Sequence, residues 1–185
     1  MNTYIKFLVC GALAMLQGCV VQHKPDWVLS KDEVEGMYAI GAKHLEREAQ
    51  DPNYLPPGYT KLDREEVEAV LAGKTFTFVN PISGWQFRAE MTVENKVVVR
   101  GTSSKSWSGD AYWAPFSSGA YQNRDKLCLT STFCFVFSRF DDLQGEDILG
   151  ARVHRNGKEM LGFNYLYWVF TDIAPITVPV ETVSQ

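Results

Sequence analysis

The sequence is poor in the residues on which soft-metal and redox chemistry depends. Four cysteines and three histidines occur among 185 residues. No Cys-x-x-Cys pair, His-Glu-x-x-His or phosphate-loop signature is present, so a zinc centre, a thiol redox site and a Walker-type nucleotide site have no recognisable ligand set. A basic excess is also missing: 18 Lys and Arg stand against 22 Asp and Glu, which argues against a nucleic-acid footprint. Bilayer-spanning apolar runs are absent too. Phe7 to Leu16 rises only about 15 Å as a helix, half of the ~30 Å needed. What is there, 45% apolar and 13% aromatic residues, is the composition of a folded domain rather than a disordered chain.

The amino terminus reads as an export signal. Lys6 and the α-amino group precede the apolar run, which ends in Leu16-Gln17-Gly18-Cys19. That ending resembles the bacterial lipobox. The resemblance implies cleavage before Cys19, acylation of Cys19 and durable membrane attachment through its acyl chains. With Val20 rather than Asp after the cysteine, it implies a place in the outer membrane, facing the periplasm. Cys10 would leave with the signal, so Cys128 and Cys134 remain as an even pair in an oxidising compartment. Placed symmetrically about Ser131 in a candidate hairpin, they are expected to form a disulfide.

The expected organisation is a signal peptide over 1–18, a lipid-anchored tether over 19–29, a helical segment over 30–72, a β-barrel over 73–170 and a tail over 171–185. Ser30-Lys31-Asp32-Glu33 and Asp63-Arg64-Glu65-Glu66 are capping signatures. Val34, Met37, Tyr38, Gly41, Ala42, Leu45 and Ala49 follow the first at helical spacing, to about Gln50. Val67, Val70 and Leu71 follow the second, and Gly73 sits where a helix ends. From Lys74 the period becomes two: Trp85, Phe87, Ala89, Met91 and Val93 alternate with polar residues. Strands are expected at 97–99, 126–130 and 133–140, and in a last hairpin of 148–155 and 158–170 about an Asn156-Gly157 turn. The fold class is mainly β: a small antiparallel meander barrel of seven or eight strands, preceded by two short helices. The last strand is apolar on both faces, one to line the barrel and one to pack beneath the helices.

Candidate chemistry is sparse. His23, His44 and His154 share no ligand spacing, and His23 and His44 read as surface residues. No cofactor or metal is expected. Asp141, Asp142, Glu146 and Asp147 cluster about Gly145 as a solvated loop. An enzyme would need carboxylates such as Asp110, Asp141 or Glu146 to converge in one cleft with a raised pKa. Trp107, Tyr112, Trp113 and Phe116, in a stretch rich in Gly, Pro and Ser, either close the barrel end or offer a binding face with Tyr121 beside them. As a binding face they would take an envelope protein or a cell-wall glycan.

Leu71-Ala72-Gly73-Lys74-Thr75-x-Thr77, Gly119-Ala120-Tyr121, Leu127-Cys128 and Cys134-x-Val136 together resemble a bacterial family of exported lipocalin-like (calycin-like) domains of unknown function. The likeness covers residues 62–170 and implies the meander fold and export. Ser117-Ser118-Gly119-Ala120-Tyr121 resembles the inhibitory loop of the lipid-anchored periplasmic inhibitors of c-type lysozyme. The function expected from all this is a non-catalytic binding or accessory module of the cell envelope. A lysozyme inhibitor and a carboxylate-dependent hydrolase of cell-wall glycan are the alternatives.

Overall fold

Both helices begin where their capping residues sit. Ser30 caps α1 (Lys31–Gln50) and Asp63 caps α2 (Arg64–Leu71), each in a complete capping box with the glutamate three residues on. Two amide donors that a bare helix start would leave unpaired are thereby satisfied at each. Gly73 follows α2 at φ 72°, a left-handed conformation that costs glycine nothing. Its N–H donates to the Met91 carbonyl at 2.8 Å and turns the chain straight into the sheet.

The computed structural model describes residues 24–51, 54–102, 106–117, 124–131, 133–153 and 167–177. The signal segment, Cys19, Tyr121 and the Asn156-Gly157 turn lie outside them. Among the described residues the strands are β1 (Thr60–Lys61), β2 (Lys74–Asn80), β3 (Trp85–Met91), β4 (Lys96–Gly101), β5 (Ser106–Asp110), β6 (Tyr112–Phe116), β7 (Arg124–Cys128), β8 (Cys134–Arg139), β9 (Ile148–Val153) and β10 (Tyr167–Pro175). They form one sheet in the order β5-β4-β3-β2-β10-β9-β8-β7-β6, with β1 beside β8.

Ten strands exceed the expected seven or eight for two local reasons. β1 is a two-residue pairing inside the proline-rich linker. Segment 106–116 contributes twice: β5 pairs with β4, β6 pairs with β7, and only Ala111 stands between them. Every pairing is antiparallel, so β5 and β6 run the same way, as two halves of one bent strand handed from β4 to β7. The ends of the sheet are therefore neighbours in sequence, and the sheet curls round into a half-barrel. Gly109 and Pro115 hide this strand from a periodicity reading. Both are tolerated because, among the described residues, each half keeps one edge unpaired.

Inside the curl, aromatic rings stand among aliphatic side chains. Phe76, Phe78, Phe135, Phe137 and Phe170 are fully buried, with Phe78 stacked on Phe170 at 5.3 Å and Phe135 edge-on to Phe170 at 5.0 Å. Val67 and Leu71 of α2 enter one end of this core. Phe87, Trp107, Phe133 and Trp168 meet at the other, with Phe87 and Phe133 centroids 4.9 Å apart. We call these the capped end and the aromatic end. Gly150 leaves the space that the Phe170 and Phe135 rings occupy.

Cys128 and Cys134 are directly opposed across β7 and β8, as the symmetric hairpin predicted, and are joined by a disulfide. They face away from the aromatic core, in a second cluster with Phe116, Val136, Ala151 and Val153. The last pair of strands departs from expectation. A two-residue turn at Asn156-Gly157 would set Ile148 opposite Tyr165, whereas Ile148 pairs with Phe170. An offset of five residues is odd, so it exchanges the faces of the strand, and Trp168 and Phe170 point inward. Nor does this strand stop at Phe170. It runs to Pro175 along β2, with an irregularity between Thr171 and Ala174, so these residues belong to the sheet and not to a tail.

α1 lies on the outside of the sheet. Val34 and Met37 pack on Val79 and Val169, with Leu29. Among the described residues only this helix covers the outer face of the last strand, because α2 plugs the capped end instead. The buried stripe of α1 passes through Gly41 and His44, while Tyr38 is half exposed.

Candidate functional site

The chain before α1 is fastened to the sheet. Leu29 N–H donates to Gln86 Oε1 at 2.8 Å, and Gln86 Nε2 donates back to the Leu29 carbonyl at 3.3 Å. This clasp buries Gln86 on the outer face and leaves Trp85, one residue earlier, exposed at the rim. Residues 24–29, expected as loose tether, thus include a docked turn.

Between that turn, α1, β10 and the 142–147 loop runs a cleft of about 550 Å³. Trp27, Leu29, Met37, Ile40 and Val169 give it apolar walls. Asp26, Glu33, Asp142, Asp147 and Asp172 give it a rim of carboxylates, and among the described residues no Lys or Arg lines it. Burial pushes the Asp147 carboxyl above its ordinary value, and nearby Asp172 adds to this; a hydrogen bond from Thr171 and the charge of Arg139 act the other way. Asp142 moves the opposite way, held low first by its hydrogen bond from Lys43 and then by that from His44.

Asp172 owes its place to Arg88. That guanidinium spans β2 on the outer face, donating to Thr77 Oγ1 at 3.0 Å, to Thr75 Oγ1 at 2.7 Å and to the Asp172 carbonyl at 3.1 Å, and pairs with the Asp172 carboxylate. The strand irregularity and a φ of 51° at Asp172 aim both acceptors at it. Such a fork on planar donors suits arginine. No periodicity marks it, because its partners come from two other strands, β2 and β10.

His44 corrects the expectation of a surface residue. It is 8% exposed, packs edge-on to Phe140 at 5.0 Å, and bridges two groups. Nε2 donates to Asp142 Oδ2 at 2.8 Å, so in the neutral ring Nδ1 accepts the Tyr54 hydroxyl at 2.9 Å. The Asp142–His44–Tyr54 chain ties α1 to the two loops at the capped end. It also fixes one wall of the cleft through Asp142.

The expected aromatic residues do not share one face. Trp107 stands at the aromatic end, 41% exposed, leaning on Phe87 and Phe133. Trp113, on the other half of the bent strand, turns inward against the main core beneath Arg64, whose guanidinium carbon lies 5.8 Å from the ring centroid. Tyr112 and Phe116 point outward: Tyr112 is exposed opposite Cys128, and Phe116 is buried in the disulfide cluster under Lys126. Two-residue alternation separates them.

The carboxylates expected of an enzyme do not gather either. Asp110 pairs with Lys96, Glu146 with Lys74, and Asp141 lies against Gly58. The acidic residues that do line the cleft come from the turn before α1, α1 itself, the 142–147 loop and β10. Only a fold could bring these together. The loop resembling a lysozyme inhibitor lies, beyond Ser117, outside the described residues. No family model, no curated protein and no solved structure matches the chain.

Proposed function

We propose that this is a lipid-anchored, non-catalytic binding module of the bacterial cell envelope, held by Cys19 in the outer membrane and facing the periplasm. The observation that carries the binding role is the external cleft: apolar walls beneath five carboxylates, two of them paired from outside the cleft by Lys43 and Arg88, with no Lys or Arg among its described lining residues. The barrel interior is a less suitable site, because phenylalanine rings occupy it. A groove with an apolar floor and a negative rim suits a basic, amphiphilic segment of a partner protein. Two experiments test the two halves of this reading. Radiolabelled palmitate should enter the protein, and Cys19→Ser should be unlabelled and released from membranes; labelling of that variant would end the anchor. A photo-crosslinking residue at Met37, inside the cleft, should capture in intact cells a partner that the same residue at exposed Tyr38 does not. Identical products from both positions would refute the cleft.

One observation favours a second reading, a carboxylate-dependent hydrolase of cell-wall glycan. Two carboxyls lining the cleft are moved in opposite directions, Asp147 up by burial and Asp142 down by hydrogen bonds from Lys43 and His44, the division of labour that acid–base catalysis uses. Release of reducing ends from purified peptidoglycan, abolished by Asp147→Asn, would support it; no release would remove it.

A further inference from the structure

The geometry points to the aromatic end of the half-barrel as the face that rests on the membrane, with Trp85 and Trp107 seated in the lipid interface and the capped end held away in the periplasm. This rests on the reading of Cys19 as the lipid anchor, and adds to it a defined orientation of the domain.

Three observations converge. The first is reach. Five peptide units separate Cys19 from Lys24, at most about 18 Å of extended chain. The chain does not wander after that: Lys24 Nζ donates to the Leu29 carbonyl at 2.9 Å, Val28 N–H donates to the Pro25 carbonyl at 3.0 Å, and Leu29 is clasped to Gln86. An acylated Cys19 therefore tethers the body beside the start of β3, where Trp85 sits. The second is composition at that end. Trp85 is 53% exposed and Trp107 41%, and indole rings favour the boundary between headgroups and acyl chains. The third is charge. Among the described residues, the loops 81–84, 101–102 and 129–131 at the aromatic end carry no ionisable side chain. At the capped end the turns 92–95 and 140–147 carry Glu94, Asp141, Asp142, Glu146 and Asp147. An anionic surface accepts the first end and repels the second. α1 runs from the clasp at Gln86 to Asp142, so the cleft between them opens along the side of a standing domain, accessible to a periplasmic partner.

The test uses the acylated protein purified from membranes and reconstituted into phosphatidylcholine–phosphatidylglycerol vesicles. An environment-sensitive fluorophore is placed on Ser83→Cys at the aromatic end or on Val93→Cys at the capped end, and N-terminal acylation is read separately by mass spectrometry. On reconstitution the Ser83 probe should shift to the blue and brighten several-fold, with quenching by brominated acyl chains, while the Val93 probe should keep its aqueous spectrum. Brominated lipid should also quench intrinsic tryptophan emission, and Trp85→Phe should lose part of that quenching. If the protein is acylated and vesicle-bound but both probes report water, or both report lipid equally, the orientation is refuted and the anchor stands. If Cys19 carries no lipid, both fall.

Discussion

Replacing Gly150 by alanine adds one methyl group at a place where the fold has no space for it. Gly150 lies in β9 opposite Phe137 and Trp168. A Cβ there would sit 2.5 Å from Phe170 Cε2 and 3.1 Å from Phe135 Cδ1. Neither ring can retreat: both are 0% exposed, and Phe170 also touches Phe76, Phe78 and Phe137. Overpacking of this kind costs about 1–3 kcal/mol. Against it stands the lower unfolded-state entropy of alanine, about 0.4–1 kcal/mol in the stabilising direction. The clash wins, and the net loss is about 0.5–2 kcal/mol. At roughly 2–4 °C per kcal/mol for a domain of this size, the melting temperature falls by about 1–8 °C. Gly36→Ala supplies the control. A Cβ at Gly36 meets nothing within 4 Å, so in α1 the same substitution should stabilise by about 1 kcal/mol. Thermal and urea unfolding followed by circular dichroism reads both. A Gly150→Ala protein as stable as the parent would mean that the rings do not fill the curl, and the reasoning from a packed interior would fail.

Other outcomes follow from the same structure. Replacing Cys128 and Cys134 together by alanine should cost about 2 kcal/mol, the entropy of so short a closed loop, and unfolding of the double variant should become insensitive to reductant. Asp147 has its folded pKa raised, so its ionisation opposes folding. Stability it retains below the ordinary carboxylate pKa is lost as pH rises toward the folded value. Asp147→Asn should therefore match the parent in acid, exceed it at neutral pH and flatten the pH profile of urea midpoints between; a variant weaker than the parent at pH 7 would contradict this. The Trp113 indole N–H is buried with no acceptor among the described residues. Trp113→Phe should thus be nearly neutral, while Trp113→Ala should cost about 3 kcal/mol or more, and equal losses in calorimetry would sink the account.

Elements whose signals are local could be read from the sequence. Ser30 with Glu33 and Asp63 with Glu66 fix the helix starts, Gly73 marks a helix end, and alternation from Phe76 to Met91 marks β2 and β3. The paired cysteines set the register of β7 on β8. Elements governed by distant partners could not be read. The bent strand 106–116 carries Gly109 and Pro115 because edges unpaired among the described residues permit them. The register of β10 depends on β2 and β9 together, so a local turn signal misplaces it by five residues. The cleft is still less legible. Its acids are spread from Asp26 to Asp172, and nothing near any one of them announces the others. His44 looks polar on a helix face until Asp142 and Tyr54 arrive to bond both ring nitrogens.

The pairing of β2 with β10 also sets a timetable for folding. Val79 faces Val169, ninety residues later in the chain. Until that late segment arrives, β2 has a free edge, and Phe76 and Phe78 lack the Phe170 ring on which they pack. α1 also has to wait, since the surface it covers is half Val79 and half Val169. Contacts so far apart in sequence slow the final closure. A chain emerging amino end first would spend that interval with an apolar edge uncovered, so high expression is where aggregation should appear. Truncation before β10 should leave a protein that accumulates in soluble form only with a holding chaperone.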